Sequence, residues 1–237
     1  MLIDNVTDIL NRMMRAAVLA DRSPDTVKLV AVTKKVEIEA IEEALDIGIR
    51  VFGENRVQEA KAKIEHFRGP GKDFTEKALS GVQWHLIGNL QKNKAKYAVH
   101  LFDLIHTMDS AGLAEEIDRQ ALKINKTQRV LVQVKLAGDE TRHGVSEEKM
   151  MSLLKEISGM SNIQLEGLMT MPPFFDDPEQ TRPYFRRLRE LRDEAEKAGL
   201  LLPELSMGMS HDFEVAIQEG ATMVRIGTAL FGERSKQ

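Results

Sequence analysis

The chain contains no cysteine. That absence removes disulfides, thiolate metal sites and cysteine nucleophiles together, and it fits a reducing cytoplasm. Tryptophan occurs once and tyrosine twice, at Tyr97 and Tyr184, both inside helix-like patterns and away from strand ends. No apolar run approaches the roughly 20 residues of a membrane span. The opening Met-Leu-Ile-Asp is an amphipathic start and not a secretory leader. No His-Glu-x-x-His and no carboxylate cluster supplies metal-ligand spacing. Neither sign of charge dominates: 33 Lys and Arg face 37 Asp and Glu, a net charge of −4. A global basic field for nucleic acid is therefore missing. No linker and no low-complexity tract interrupts the chain. What is left is a composition ordinary for a soluble globular protein, 42% hydrophobic and 30% charged over 237 residues. That length suffices for one large domain with a substantial core, and a single domain over 1–237 is expected.

Strand-like and helix-like patterns alternate from end to end. Strands are expected at 27–32, 50–52, 82–87, 101–106, 129–135, 163–169, 204–207 and 222–226. Between them, apolar residues recur at spacings of three and four. Ile38, Ile41 and Leu45 make one stripe, and Tyr184, Leu188, Leu191, Ala195 and Ala198 another. An extra helix opens the chain, with Val6, Ile9, Leu10, Met13 and Ala17 on one face. Gly48, Gly199 and Gly220 each stand just before a strand, where a helix C-cap belongs. Eight βα units in this length predict an α/β fold, a (β/α)8 TIM barrel with an extra N-terminal helix; such barrels take roughly 250 residues. The alternative, a doubly wound sheet, is disfavoured by the character of the last two units. The longest Gly/Pro break, Arg68-Gly-Pro-Gly-Lys72, falls between a helix and a strand, on the side of a barrel away from chemistry.

Those last units are Leu205-Ser-Met-Gly-Met-Ser210 and Met223-Val-Arg-Ile-Gly-Thr228. Each is a short apolar run that breaks into glycine and hydroxyl residues. Glycine lets backbone approach a ligand, hydroxyls donate, and a following helix offers free N–H groups, so the pair suits a phosphate. Lys34 ends the first strong apolar run, Val27-Lys-Leu-Val-Ala-Val-Thr-Lys34. A strand-end lysine beside a phosphate cradle points to a phosphorylated carbonyl compound held as a Schiff base, with partial desolvation freeing the amine. The plain alternative is a rim lysine in water, which Lys35 also fits. Asn55 could hydrogen-bond a ring oxygen, whereas Glu54 could cap the next helix. His85 and His106, inside or ending strands, read as hydrogen-bonded core residues more readily than as catalysts. Met169, Met171, Pro172 and Pro173 either wall a ring or fill core. Arg225 sits in an apolar strand and needs a partner: the ligand, or Glu204 or Glu166 on a neighbouring strand. Lys92 to Lys96 and Arg182 to Arg192 read as solvated helix faces.

Taken together, Ala31-Val-Thr-Lys34, Phe52-Gly-Glu-Asn55, Trp84-His-Leu-Ile-Gly88, Gly167-Leu-Met-Thr-Met171 and the two terminal motifs extending to Gly232 resemble the YggS/PROSC family of pyridoxal phosphate homeostasis proteins. The resemblance spans nearly the whole chain and implies the alanine-racemase N-terminal barrel standing alone. It implies that Lys34 forms the aldimine with pyridoxal 5′-phosphate. Ser206 or Ser210, with Gly227 and Thr228, would bind the phosphate. Arg225 would face the pyridine nitrogen, and Asn55 would lie near the ring. The loop from Lys135 to Gly144 departs from the family pattern at Lys135 and His143.

An arginine stays protonated and donates, so it does not stabilise a protonated pyridine, and the cofactor is then a poorer electron sink. Few residues follow the eighth strand, so a second domain bringing an opposite-face base is not expected. The implied role is non-enzymatic, with no catalytic residue and no metal: intracellular vitamin B6 homeostasis, binding the cofactor and buffering or delivering it. The implied protein is cytoplasmic and monomeric. PLP-dependent apoenzymes are its expected clients, and it has no nucleic-acid or membrane partner. The alternatives are a PLP-dependent amino-acid racemase and, on the residues without the resemblance, a Schiff-base aldolase acting on a sugar phosphate.

Overall fold

A computed structural model describes residues 1–68, 79–136 and 143–232. Nine strands lie within them: β1 (Lys28–Val32), β2 (Val51–Glu54), β3 (Gln83–Leu86), β4 (Leu104–Met108), β5 (Gln128–Lys135), β6 (Val145–Ser146), β7 (Ile163–Met169), β8 (Glu204–Met209) and β9 (Met223–Ile226). Eight of them close on themselves in the order β1-β2-β3-β4-β5-β7-β8-β9-β1. Every pairing is parallel, including the closing contacts of β1 with β9 and of β4 with β5. The short β6 adds only to the end of β5, through Val134 and Lys135. The helices are α1 (Leu2–Leu19), α2 (Ile38–Asp46), α3 (Val57–Arg68), α4 (Ala95–Leu101), α5 (Ala111–Lys123), α6 (Glu147–Ser158), α7 (Arg182–Lys197), α8 (Phe213–Gln218) and α9 (Thr228–Phe231). This is the expected (β/α)8 barrel with an N-terminal helix.

Two apolar layers hold it. The larger joins the outer barrel wall to the helices, from Val6 and Ile9 of α1 through Trp84, Phe102 and Phe185. The smaller, Val30, Leu104, Leu131, Met169 and Met223, fills the interior. Gly48, Gly199 and Gly220 carry φ of 98°, 91° and 103°, the left-handed conformation that ends a helix before the chain turns into a strand. At Gly167 the reason for glycine is space: a Cβ would lie 1.8 Å from the Glu204 carbonyl oxygen on the adjoining strand.

Two local expectations are corrected. Leu10 is 47% exposed, and Ala16 takes its place on the buried face of α1, because the stripe that meets the barrel follows Val6, Ile9, Met13, Ala16 and Ala17. The fourth strand starts at Leu104, since Leu101 still belongs to α4; Asp103 makes the turn by accepting the Trp84 N–H at 2.7 Å. The Gly/Pro break after Arg68 and the loop centre at 137–142 fall outside the described residues.

Candidate functional site

The carboxyl ends of the strands open into one cavity of about 830 Å³, lined by Val32, Lys34, Asn55, Ile87, Gly88, Asn89, Met171, Phe174, Met209, Ser210, His211, Arg225, Gly227, Thr228 and Ala229. Six of the seven residues expected at the site, Lys34, Asn55, Ser210, Arg225, Gly227 and Thr228, stand on it. The volume suits a small organic ligand.

Lys34 follows β1 and is half-buried. Its neighbours are pinned: Thr33 N–H donates to the Gly53 carbonyl at 2.9 Å, and Val36 N–H returns to the Thr33 carbonyl at 2.9 Å. Lys35 adopts a left-handed φ of 56° and is exposed, so it leaves the cavity to Lys34. Across the mouth, Gly88 lets the loops after β2 and β3 touch, since a Cβ there would come within 2.2 Å of the Asn55 carbonyl oxygen. That contact sets the position of Asn55.

The opposite corner is built by β8 and β9. Their register shifts between Ser206 and Met209. Gly208, at φ 92°, has room for no Cβ, which would meet the Ala216 methyl at 2.5 Å. The bulge carries Ser210 to the rim, where its Oγ accepts from the N–H groups of Gly227 and Ala229, both at 3.4 Å. Bonds this long leave those donors unsaturated and aimed at one place. Asp212 secures the turn by accepting the Met209 N–H at 2.6 Å. Burial raises the Asp212 carboxyl above its usual range, against the pull of that hydrogen bond and of Arg225.

Ser206 lies elsewhere. It is fully buried beneath the cavity, where its Oγ accepts from Arg225 Nη1 at 2.7 Å. Arg225 Nη2 donates to the Thr170 carbonyl at 2.9 Å. The carboxylates expected as its alternative partners are engaged otherwise, Glu166 with Arg129 and Glu204 with Lys28. Burial lowers the Arg225 guanidinium to about 10, with Asp212 acting the other way.

From Ser206 a line of neutral groups crosses the barrel. Ser206 Oγ meets His106 Nδ1 at 2.8 Å, His106 Nε2 meets His85 Nδ1 at 3.0 Å, and His85 Nε2 meets Gln83 Oε1 at 3.3 Å. Arg129 Nη1, which can only donate, reaches the same Gln83 oxygen at 3.4 Å. An amide oxygen only accepts, so His85 carries its proton on Nε2. With burial keeping the ring from taking a second proton, its Nδ1 accepts from His106 Nε2–H, and His106 Nδ1 accepts from the Ser206 hydroxyl. Both rings are neutral. Burial lowers His85 to about 3, helped by Arg129 and Lys28. Burial also holds His106 well below its usual range, with His85, Arg225 and Arg129 adding to the effect.

Three site features escape sequence reasoning. Phe174 and His211 form the lip of the cavity, their ring centroids 5.3 Å apart, with His211 Nε2 donating to the Asp176 carbonyl at 3.0 Å. Asn89 reaches the cavity from the loop after β3. His211 and Asn89 adjoin recognised motifs, at Ser210 and Gly88, and adjacency was the available signal. Phe174 sits in an irregular segment whose course no period predicts. Among the described residues no group of three or more His, Asp or Glu could hold a metal ion.

A closed parallel barrel with a strand-end amine, an interior guanidinium and a hydroxyl–amide corner around one cavity is a site for a single small anionic ligand. The alanine racemase N-terminal domain family matches residues 13–235. The pyridoxal phosphate homeostasis protein of Aquifex aeolicus is 46% identical over 232 residues, covering 98% of this chain and 97% of that one. Its Vibrio alginolyticus counterpart is 37% identical, covering 97% and 96%. The solved structure of PipY from Synechococcus elongatus with PLP bound is 39% identical, with a TM-score of 0.80 over 93% of this chain and 100% of that one. An alanine racemase from Clostridium difficile shares the fold at a TM-score of 0.73 and 18% identity, and the chain covers 58% of its length. The chain belongs to the alanine racemase N-terminal domain family, within its branch of pyridoxal phosphate homeostasis proteins.

Proposed function

We propose that the chain binds pyridoxal 5′-phosphate through Lys34 and serves vitamin B6 homeostasis, buffering the cofactor or delivering it to apoenzymes. One observation carries this reading. Lys34, Arg225 and the Ser210–Gly227–Thr228 corner converge on one cavity, each suited to a different part of the same molecule. The converging, weakly engaged N–H groups of Gly227 and Ala229 fit a phosphate without needing a cationic side chain. Ser206 and Thr170 use two of the five N–H donors of Arg225, and the remainder suit a ring nitrogen. Ser206 is thereby assigned to positioning Arg225, and Ser210 to the phosphate.

When bound, the cofactor supplies an aldehyde for an amine and a ring that draws electrons from it. Arg225, still protonated at neutral pH, donates to the ring nitrogen and hands no proton over, which limits that withdrawal. This supports a carrier over an enzyme. A purified, loaded protein is expected to be yellow, with a visible band that borohydride bleaches; a colourless protein that fails to take up the cofactor would refute the reading. No helix among the described residues is long and apolar enough to cross a membrane, and we place the protein in the cytoplasm with its cofactor pool.

Thr228→Val tests the phosphate corner. A hydrogen bond to a charged group contributes about 1.5–3 kcal/mol, so pyridoxal phosphate should bind roughly ten- to a hundredfold more weakly. Pyridoxal should scarcely change. Equal loss for both in parallel titrations would place the phosphate elsewhere.

Loss of α-deuterium from alanine, serine and other common amino acids, followed with chirality, tests the carrier reading. Lacking a positioned second acid or base typically costs on the order of 10²–10⁴ in rate. Only slow exchange is expected. A kcat around 1 s⁻¹ or more would promote the racemase reading, with His211 as the first candidate base.

A further inference from the structure

Lys63 of α3 is an unexpected buried cation. It is 7% exposed, on a helix face whose other inward residues are apolar: Val57, Ala60, Ile64 and Phe67. Its ammonium has three hydrogens and three acceptors: the Thr33 carbonyl at 2.6 Å, Glu59 Oε1 at 2.8 Å and Glu54 Oε1 at 2.9 Å. The acceptors tie in turn to the lysine loop. Glu54, fully buried, also accepts from Thr33 Oγ at 2.6 Å. Glu59 accepts the Lys35 N–H through the same oxygen that Lys63 reaches. Thr33 and Lys35 are the two chain neighbours of Lys34. The backbone on both sides of Lys34 is therefore fastened to one ion cluster, buried at Lys63 and Glu54 and half-buried at Glu59.

The cluster is costly as mere packing. A buried ion set stabilises little over apolar residues of similar volume, because desolvation offsets the attraction. The strain is visible: burial raises Glu54 against the pull of Lys63 and Thr33, and Glu54 Oε2 has no partner among the described residues. On Glu59 burial also pushes upward, but the bonds from Lys63 and the Lys35 N–H outweigh it and hold the carboxyl below its usual range. Lys35 meanwhile holds a left-handed φ of 56° without being glycine, a conformation that costs on the order of 1 kcal/mol or more and persists only where its surroundings impose it. An apolar contact would join α3 to the barrel equally well. It would not set the direction of one carbonyl and one N–H.

We propose that Lys63, with Glu59 and Glu54, is a positioning residue for Lys34, fixing the backbone turn so that the Lys34 amine meets the cofactor's carbonyl carbon in an attacking geometry. Lys63 itself does not touch the ligand; it acts through the Thr33 carbonyl and, by way of Glu59, through the Lys35 N–H. The inference rests on the reading of Lys34 as the covalently linked residue.

The test separates bond formation from binding. Apo protein is mixed with pyridoxal phosphate, and the rate of covalent linkage is followed by absorbance and by borohydride trapping with mass spectrometry. Binding of an analogue with a methyl group in place of the aldehyde is titrated in parallel. Misplacing a reacting group by about an ångström costs on the order of 10²-fold. Lys63→Met and Glu59→Ala should therefore slow linkage about 10- to 100-fold and leave analogue affinity at the wild-type value. Glu59→Gln keeps an acceptor for the Lys35 N–H and should restore the rate. If Lys63→Met fails to fold, the comparison of Glu59→Ala with Glu59→Gln decides. Linkage at the wild-type rate in Glu59→Ala would overturn the proposal. So would equal slowing in Ala and Gln, or a matching loss of analogue binding. A wild-type protein that binds the analogue and traps no pyridoxal group on Lys34 would instead overturn the reading of Lys34.

Discussion

Lys34→Ala is expected to abolish the visible band of the loaded protein and the mass increment fixed by borohydride, while Lys35→Ala keeps both. The two lysines are adjacent, yet the backbone separates them completely. Lys34 stands in the turn that follows β1 and lines the cavity; Lys35, next in the same turn, has a left-handed φ, is exposed, and has its N–H fastened to Glu59. The strand ends at Val32, so it is not strand alternation that parts the two lysines but the turn, whose left-handed residue Lys35 is exposed while Lys34 lines the cavity. Residual noncovalent binding should survive in Lys34→Ala, because the Ser210 corner and Arg225 are built by β8 and β9 and do not depend on β1 chemistry. Peptide mapping of the reduced protein is the check. A pyridoxyl group found on Lys35 or another lysine in preference to Lys34 would refute the assignment.

How much of this was legible in the sequence depends on the kind of information each feature carries. The barrel was readable because its signal is periodic and repeated, and the positive φ at Gly48, Gly199 and Gly220 is a property of the residue type. Lys34, Asn55, Gly227 and Thr228 were readable because strand ends are where such a barrel does its chemistry. Ser206 and Ser210 stand in one motif and could not be separated by inspection. What separates them is the bulge at Gly208, which turns one serine inward and carries the other to the rim. The partner of Arg225 was illegible for the same reason. Glu166 and Glu204 are close in topology, but neighbouring cations, Arg129 and Lys28, take them first. Lys63 carries no signal in the sequence that sets it apart from the other charges of its helix. Only packing shows that its stem crosses the core to the loop that holds Lys34.

The neutral histidine pair links this interior to acid stability. In the unfolded chain each ring titrates near 6.5, a typical value for histidine; in the folded chain His85 titrates near 3 and His106 well below its usual range. Between those limits the unfolded chain binds protons that the folded chain refuses. Stability is therefore complete above about 6.5 and falls as the pH drops toward the folded values. At pH 5 one such histidine lowers stability by about 2 kcal/mol relative to neutral pH, a shift of roughly 4–8 °C in melting temperature for a chain of this size. Other groups titrate in the same range. Glu59 and Glu219, held low, also lose stability on acidification, though nearer their usual value of 4.5; Glu54 and Asp212, held high, run the opposite way. The histidine share is isolated by comparing slopes. His85→Gln removes one titrating ring and leaves the carboxylates in place. Between pH 7.5 and 5, the unfolding free energy of the apo protein should fall about 2 kcal/mol further in the wild type than in the variant. Identical slopes would mean that His85 is charged in the folded protein. That outcome would also undo the account of Arg225. A proton on the His85–His106 pair would reverse the direction of the chain ending at Ser206 and set a second positive charge near the guanidinium. The burial expected to make the barrel acid-sensitive is the same burial that encloses the Arg225 guanidinium beneath the cavity, while Lys34 stands half-buried at its lining.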